Sequence, residues 1–255
     1  MVTDACAADM NGYPVNRTNH EYAHGANHPG GAFPRKTTEE SMMPNTELND
    51  KEIKKYYIDV ERYDWITDIK YPEKLFHIWR ERGIMKWVNR YGKGTTLDVG
   101  CGTGLITRHL NGNHIVALDI NHWAVKRVKL HAPNKVQCVA GDIESLPLAS
   151  DTFDVVICTD VLEHLPNPDR ALKEILRVMK TGAILIGEVP SRNLIWKFRR
   201  YLTTTCPVCE PFHHNYSISE LKLLLNDFRM TSICRSAFGL ELLFIVQKLT
   251  PTNKQ

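Results

Sequence analysis

The eight residues from Leu97 to Gly104, LDVGCGTG, constrain the fold of this 255-residue chain more than any other segment. An apolar run that contains Asp98 is followed by three alternating glycines and then by Leu105–Leu110. Glycines let the backbone turn tightly and approach a bound molecule with no Cβ in the way. The segment therefore predicts a strand, a glycine loop and a helix over 104–111.

The glycine spacing separates several kinds of nucleotide-binding loop. A dinucleotide site has G-x-G-x-x-G, whereas this chain has G-x-G-x-G with Leu105 at the sixth position. A P-loop is excluded, since no Gly-Lys-Ser or Gly-Lys-Thr follows. Asp98 disfavours a pyrophosphate and favours an ammonium or sulfonium group. These features fit S-adenosylmethionine, a cationic nucleotide that carries an amino acid.

Two later strand-like segments also lead to a carboxylate. His114–Asp119 ends 21 residues after Asp98, and Val136–Ala140 is followed at once by a glycine and Asp142. An acid about 20 residues beyond a glycine turn is placed to bind ribose hydroxyls. We therefore expect Asp119 to lie at the ribose of the bound nucleotide.

These segments resemble the motifs of class I S-adenosylmethionine-dependent methyltransferases, in the type 11 branch that includes small-molecule and ubiquinone-biosynthesis-like enzymes. Phe153–His164 resembles the fourth-strand motif of that family. The resemblance is strong over residues 94–190 and weak over 215–255. It implies that Asp142 accepts from the adenine amino group, with Ile143 against the ring.

The resemblance also implies an α/β fold: a Rossmann-like, seven-stranded, mostly parallel sheet with an antiparallel last strand and helices on both faces. Strand-like and helix-like segments alternate from Thr95 onward, which supports a parallel sheet covered on both faces. The predicted strands are 95–99, 114–119, 136–140, 153–159, 183–189, 230–235 and 239–248. The predicted helices are 104–111, 122–130, 168–179 and 218–227. Lys180–Ala183 replaces the Lys-Pro-Gly-Gly turn usual in the family, and we expect this to alter only turn stiffness.

The predicted cofactor site combines the glycine loop, the strand-end acids and their neighbours. Its members are Asp98, Gly100, Cys101, Gly102, Gly104, Asp119, Ile120, Asp142, Ile143 and Thr159. Methyl transfer is an in-line displacement that needs alignment and sometimes proton removal. Imidazole titrates near neutral pH, so His164, His213 and His214 are weak candidates for a general base. An alternative for His164 is a purely local structural role.

Residues outside these motifs predict three regions. Residues 1–50 predict a disordered tail, and 51–93 predict helices that form a lid or pack on the edge of the sheet. Residues 94–255 form the predicted S-adenosylmethionine-binding domain, with an acceptor-side insertion at 191–216. Within it, the aromatic and cationic residues of 194–201 suit a membrane surface or amphiphilic acceptor, or an ordinary amphipathic helix.

Composition narrows the class of protein. A hydrophobic fraction of 43% and a charged fraction of 24% are those of a globular domain. A net charge of +3 argues against an obligatory nucleic-acid partner. No apolar run approaches the roughly 20 residues of a membrane span, and no secretory signal is evident. We expect a cytoplasmic protein with reduced cysteines. Cys206 and Cys209 have zinc-ligand spacing, but we predict no metal because a second pair is lacking.

The sequence leaves three functions to compare. The first is transfer of a methyl group from S-adenosylmethionine to a small or lipid-like acceptor. The second is methylation of protein or RNA, which the modest charge disfavours. The third is a non-catalytic S-adenosylmethionine-binding scaffold. Because the glycines and all three strand-end acids are present, we expect an enzyme.

Overall fold

The computed structural model describes residues 49–59, 64, 66–67, 71, 73–132, 136–193 and 212–249. Nearly all of the predicted tail (1–50) lies outside these residues. So do segment 194–201 and both Cys206 and Cys209. Among the described helices, none is long and apolar enough to cross a membrane.

Seven strands form one sheet in the order β3-β2-β1-β4-β5-β7-β6. The strands are β1 (Thr95–Val99), β2 (His114–Asp119), β3 (Val136–Ala140), β4 (Phe153–Thr159), β5 (Met179–Pro190), β6 (Phe228–Ser236) and β7 (Glu241–Lys248). Strands β1 to β5 pair in parallel, whereas β7 is antiparallel to both β5 and β6. This confirms the predicted Rossmann-like fold and the terminal hairpin.

Helices cover both faces of the sheet. They are α1 (Asp50–Asp59), α2 (Glu73–Tyr91), α3 (His122–His131), α4 (Pro168–Val178) and α5 (Ile218–Leu224). Alternate residues of a strand point to opposite faces, so Val156 packs in the core with α4 and α5 while Ile157 packs with α2. Strands buried on both faces need almost continuous apolar sequence, which explains runs such as VVIC in β4.

The predicted helix over 104–111 is wrong. The chain there forms turns and one short 3-10 helix, Thr107–His109. Gly104 has a left-handed φ of +95°, and Leu110 is already extended. The backbone amides of Gly100 and Cys101 both donate to Leu118 O, which holds the glycine loop to the end of β2.

Strand β5 begins at Met179, four residues earlier than predicted. Met179 pairs with Phe153, after which the register shifts before Ile184 pairs with Val155. Gly182, in the segment that departs from the family pattern, has a φ of +78° and makes this irregularity possible. The unusual turn is therefore a bulge in the strand, at its amino end and away from the carboxyl edge.

Helices α1 and α2 take different positions. Ile84 and Val88 of α2 are buried against the sheet, in one cluster with Ile186 and Leu243. Helix α1 instead lines a cleft at the carboxyl edge of the strands. The division into a lid at 51–93 and a domain at 94–255 stays a prediction.

Candidate active site

A cleft of about 730 Å³, including the part open to solvent, lies over the carboxyl ends of the parallel strands. The carboxyl ends of the strands are where open α/β sheets bind ligands. Its walls come from α1, the glycine loop and the segments after β2, β3 and β4. Its lining includes Lys54, Tyr57, Gly100, Asp119, Ile120, Asp142, Ile143, Asp160, Val161, His164 and Leu165.

The glycine loop has no room for a side chain at its first glycine. Gly100 has a φ of +71°, and a Cβ built there would lie 2.1 Å from Cγ2 of Val161. Gly102 and Gly104 also have positive φ values, so the loop has the alternating left-handed backbone that favours glycine. The backbone at Gly100 can therefore form the floor of the cleft.

Asp98 lies in the interior beneath this loop. Its side chain is buried, and Thr107 Oγ1 donates to its Oδ2 at 2.5 Å. Burial raises the pKa of Asp98 to about 6, and the Asp119 carboxylate adds to the rise while the Thr107 bond opposes it. The ionised form of Asp98, an acid predicted for the cofactor site, is therefore destabilised by burial in the folded protein.

Backbone amides fix the Asp119 carboxylate at the end of β2. Gly102 N donates to Oδ2 and Asn121 N donates to Oδ1, both at 2.8 Å. Burial raises the pKa of Asp119, and these two amides oppose the rise. Each carboxylate oxygen keeps a second lone pair, so an oriented acceptor faces the cleft.

Asp142 follows β3 and contacts a lysine from α1. Lys54 Nζ lies 2.6 Å from Asp142 Oδ2 and also pairs with Glu144. Glu144 N donates to the other oxygen of Asp142 at 2.9 Å. Burial lowers the pKa of Lys54, but its bonds to the two carboxylates outweigh this and raise it. An adenine amino group at Asp142 would share this oxygen with Lys54 or displace it.

Asp160, directly after β4, is held in a strained conformation. Its φ is +54°, a value that is uncommon outside glycine, and such residues often mark functional sites. Arg80 of α2 reaches it, with Nη2 2.5 Å from Oδ2, and the Arg80 Nε donates to Glu188 Oε2 at 2.5 Å. Thr159, which the sequence predicted for the cofactor site, is buried at the end of β4.

Arg80, Glu188 and Glu241 form a buried cluster with Asp160, whose side chain is partly exposed in the cleft. Burial opposes the charge of Arg80, but Asp160, Glu188 and Glu241 outweigh it and raise the arginine pKa. Burial raises the pKa of Glu188, while Arg80 and Ser236, which donates to Oε1 at 2.5 Å, lower it. The cluster ties α2 to the carboxyl ends of β4 and β5 and to the amino end of the antiparallel β7.

An aromatic and imidazole group closes the other side of the cleft. Tyr57 Oη lies 2.8 Å from His164 Nδ1, and the two rings are 5.0 Å apart. The His213 ring lies 5.4 Å from that of His164. His214 N donates to Glu163 O, and its ring packs on Tyr216. The structure therefore brings His164 to the cleft with Tyr57, and His213 next to His164.

Sequence reasoning found most of the loop and acid residues but missed those from α1 and α2. Cys101, which was predicted for the cofactor site, instead packs against Ala117 and Val128 in a small core cluster. Lys54, Tyr57 and Arg80 carried no motif that placed them in the site. Glu188, a carboxylate within the apolar strand β5, was the available signal, because a buried acid requires a cation.

The residues present fit S-adenosylmethionine. The cleft combines a floor without side chains at Gly100, an oriented acid at Asp119 and a second acid at Asp142, with Ile120 and Ile143 beside them. Acceptors for hydroxyl and amino hydrogens flanked by apolar side chains suit a ribose and an adenine ring.

Comparison with known proteins identifies the family. Residues 97–187 match a family described as a methyltransferase domain. The chain is 30% identical over 169 residues to a ubiquinone biosynthesis O-methyltransferase of Coxiella burnetii, covering 64% of this chain and 70% of that one. It is 37% identical over 100 residues to 2-methyl-6-phytyl-1,4-hydroquinone methyltransferase 1 of Oryza sativa, covering 36% and 30%.

Solved structures share the fold. Magnesium protoporphyrin IX methyltransferase from Synechocystis, solved with bound S-adenosylhomocysteine, has a TM-score of 0.59 at 16% identity, covering 78% of this chain and all of that one. A methyltransferase from Aquifex aeolicus has a TM-score of 0.55 at 21% identity, covering 79% and 100%. With the relatives above, these observations show that the chain belongs to the class I S-adenosylmethionine-dependent methyltransferases.

Proposed function

We propose that this enzyme transfers a methyl group from S-adenosylmethionine to a hydroxyl of a small or lipid-like acceptor. The observation that carries the proposal is one cleft with two acids suited to a nucleoside, Asp119 and Asp142, and an imidazole, His164, on another wall. The relatives named for ubiquinone and phytyl-hydroquinone substrates support an acceptor of this chemistry. The apolar side chains of Val161 and Leu165 beside His164 suit the same class.

Each wall of the cleft has a distinct proposed role. Asp119 accepts the ribose hydroxyls, Asp142 accepts from the adenine amino group, and the Gly100 backbone allows close approach. When bound, S-adenosylmethionine supplies a methyl group on a positively charged sulfur, and the buried charge of Asp98 favours that cationic ligand. His164 takes the proton from the acceptor hydroxyl, with Tyr57 orienting its ring through the 2.8 Å contact at Nδ1.

A labelling experiment tests the function. The protein is incubated with cell extract and S-adenosylmethionine labelled in the methyl group, and the extract is then separated into lipid, small-molecule, protein and RNA fractions. We expect label in the lipid or small-molecule fraction. Asp119→Ala should abolish most of this label and most of the rise in Tm that S-adenosylhomocysteine causes in the wild type.

The other functions give different results in the same experiment. Label in the protein or RNA fraction contradicts the proposed acceptor class. A rise in Tm with S-adenosylhomocysteine but no label in any fraction supports a binding scaffold instead. His114→Gln, an exposed residue at the amino end of β2, serves as a control that leaves both readouts unchanged.

The role of His164 gives a separate prediction. With the acceptor fraction in hand, His164→Gln should lower kcat by roughly 10²–10⁴-fold, because a general base is lost. Tyr57→Phe should lower kcat less, since the imidazole stays in place. Both variants should keep the S-adenosylhomocysteine shift in Tm. A kcat within about twofold of the wild type for His164→Gln would remove the histidine from the reaction and leave the local structural role.

A further inference from the structure

Helix α2 and the tip of the β6–β7 hairpin expose large apolar side chains next to one another. Leu75 and Trp79 lie one helical turn apart and are 47% and 53% exposed. Phe238, 69% exposed, packs its ring 5.7 Å from that of Trp79. Single exposed apolar residues are ordinary, but adjoining aromatic ones indicate a surface that is covered in use.

The backbone at the hairpin tip is strained where it presents Phe238. Ala237 and Phe238 have φ values of +43° and +62°, in the left-handed region that non-glycine residues rarely adopt. Strain of this kind persists only where the surrounding structure imposes it, and it is common at functional sites. Here it accompanies a phenylalanine side chain that is directed to solvent rather than to the core.

Three cations continue this surface along α2, and together with Leu75, Trp79 and Phe238 they form the Trp79 row. Arg82, Lys86 and Arg90 follow Trp79 at helical spacing and are all exposed. Arg82 lies over the Trp79 ring at 5.9 Å, and Arg90 lies over the Trp87 ring at 5.7 Å. Across the described part of the chain, none of these three side chains forms an ion pair with a carboxylate. Within the described residues, no paired carboxylate therefore neutralises the positive charge of the row.

The row begins at the edge of the sheet that carries the cleft. Trp79 directly precedes Arg80, whose guanidinium contacts Asp160 in the cleft wall. Phe238 follows two residues after Ser236, which donates to Glu188 in the same buried cluster. A surface that covers Trp79 and Phe238 would thus lie beside the wall of the cleft that Asp160 forms.

We propose that this row docks the protein on an anionic membrane surface. The Trp79 row is defined as Leu75, Trp79, Arg82, Lys86, Arg90 and Phe238. Its aromatic side chains suit the interface between headgroups and acyl chains, and its cations complement anionic headgroups. Membrane docking does not depend on the acceptor class proposed above. If the acceptor is a lipid, docking would bring the cleft to it.

Vesicle flotation with the full chain and no cofactor tests the proposal. Binding should be strong to phosphatidylcholine vesicles that contain phosphatidylserine and weak to phosphatidylcholine alone. Arg82→Gln with Lys86→Gln should lower the affinity for anionic vesicles about 30-fold at low salt, and less at high salt. Trp79→Ser with Phe238→Ser should lower it by at least about tenfold.

Controls separate this result from misfolding and from loss of the enzymatic function. Leu223→Ser changes an apolar residue that is 72% exposed on α5 and should leave vesicle binding unchanged. All variants should keep the Tm shift with S-adenosylhomocysteine. Equal binding of the wild type to both vesicle types overturns the proposal. Wild-type affinity for anionic vesicles in both double variants also overturns it. The proposal is also contradicted if the wild type self-associates and does not bind vesicles, and if Trp79→Ser with Phe238→Ser abolishes the self-association. The row would then be a contact between copies of the protein.

Discussion

Replacing Arg80 by methionine is expected to lower the free energy of unfolding by about 3–5 kcal/mol, because the change leaves buried carboxylates without their cation. Glu188 is fully buried and Arg80 is 4% exposed, so water cannot replace the lost partner. The methionine keeps most of the aliphatic volume of the arginine, so the loss reports the charge more than a cavity. Urea unfolding of the apoprotein at neutral pH measures it.

A second substitution distinguishes an unpaired charge from lost packing. Adding Glu188→Gln to Arg80→Met removes one uncompensated carboxylate and should recover part of the stability. The neighbouring Arg82→Met, at an exposed position of the same helix, should change the free energy of unfolding by less than about 0.5 kcal/mol. A cost below about 1 kcal/mol for Arg80→Met, or a double variant less stable than the single one, would contradict this account of the cluster.

Asp98→Asn is expected to stabilise the apoprotein in a way that depends on pH. Burial raises the pKa of Asp98 to about 6 from the ordinary 3.8, so the ionised form is disfavoured in the folded state. The stability of the wild type therefore falls as the pH rises from about 4 to 6, by up to roughly 3 kcal/mol. Asparagine avoids this loss and can still accept the Thr107 hydroxyl bond.

Urea unfolding over a range of pH values tests this expectation. The variant should exceed the wild type by up to about 3 kcal/mol near pH 8 and by well under 1 kcal/mol near pH 4. Because the proposed role of the charge is to favour a cationic cofactor, the same variant should bind S-adenosylmethionine more weakly than the wild type. A stability difference that does not change with pH would contradict the raised pKa of Asp98.

The alternating strands and the acids at their ends were predictable from the sequence, because each depends on local pattern. Strands β1 to β4 have the predicted bounds, and for β1, β2 and β4 the reason is that a buried parallel strand is an almost continuous apolar run. The spacing after the glycine loop predicts Asp119 at the cleft, and the family resemblance predicts Asp142 there. The predicted helix at 104–111 failed, because Gly104 takes a left-handed φ and the chain is extended again at Leu110, which leaves only one short 3-10 helix.

The contacts from α1 and α2 were beyond prediction because they join residues far apart in the chain. Lys54 meets Asp142 across 88 positions, and Arg80 meets Glu188 across 108. The apolar strand around Glu188 shows that a cation is needed, but several arginines in α2 could supply it. Only the packing of Ile84 and Val88 on the sheet decides that Arg80 faces inward.

The order of the strands has a consequence for the chain as it leaves the ribosome. Strand β5 finds its outer neighbour only in β7, which is made last among the described strands and has five residues, Leu242–Val246, almost wholly buried. Until β7 (Glu241–Lys248) has been synthesised, a nascent chain carries β5 as an open apolar edge, a template for pairing with other chains. Any truncation before β7 would keep that edge open, so the hairpin protects the protein from aggregation as well as completing its core.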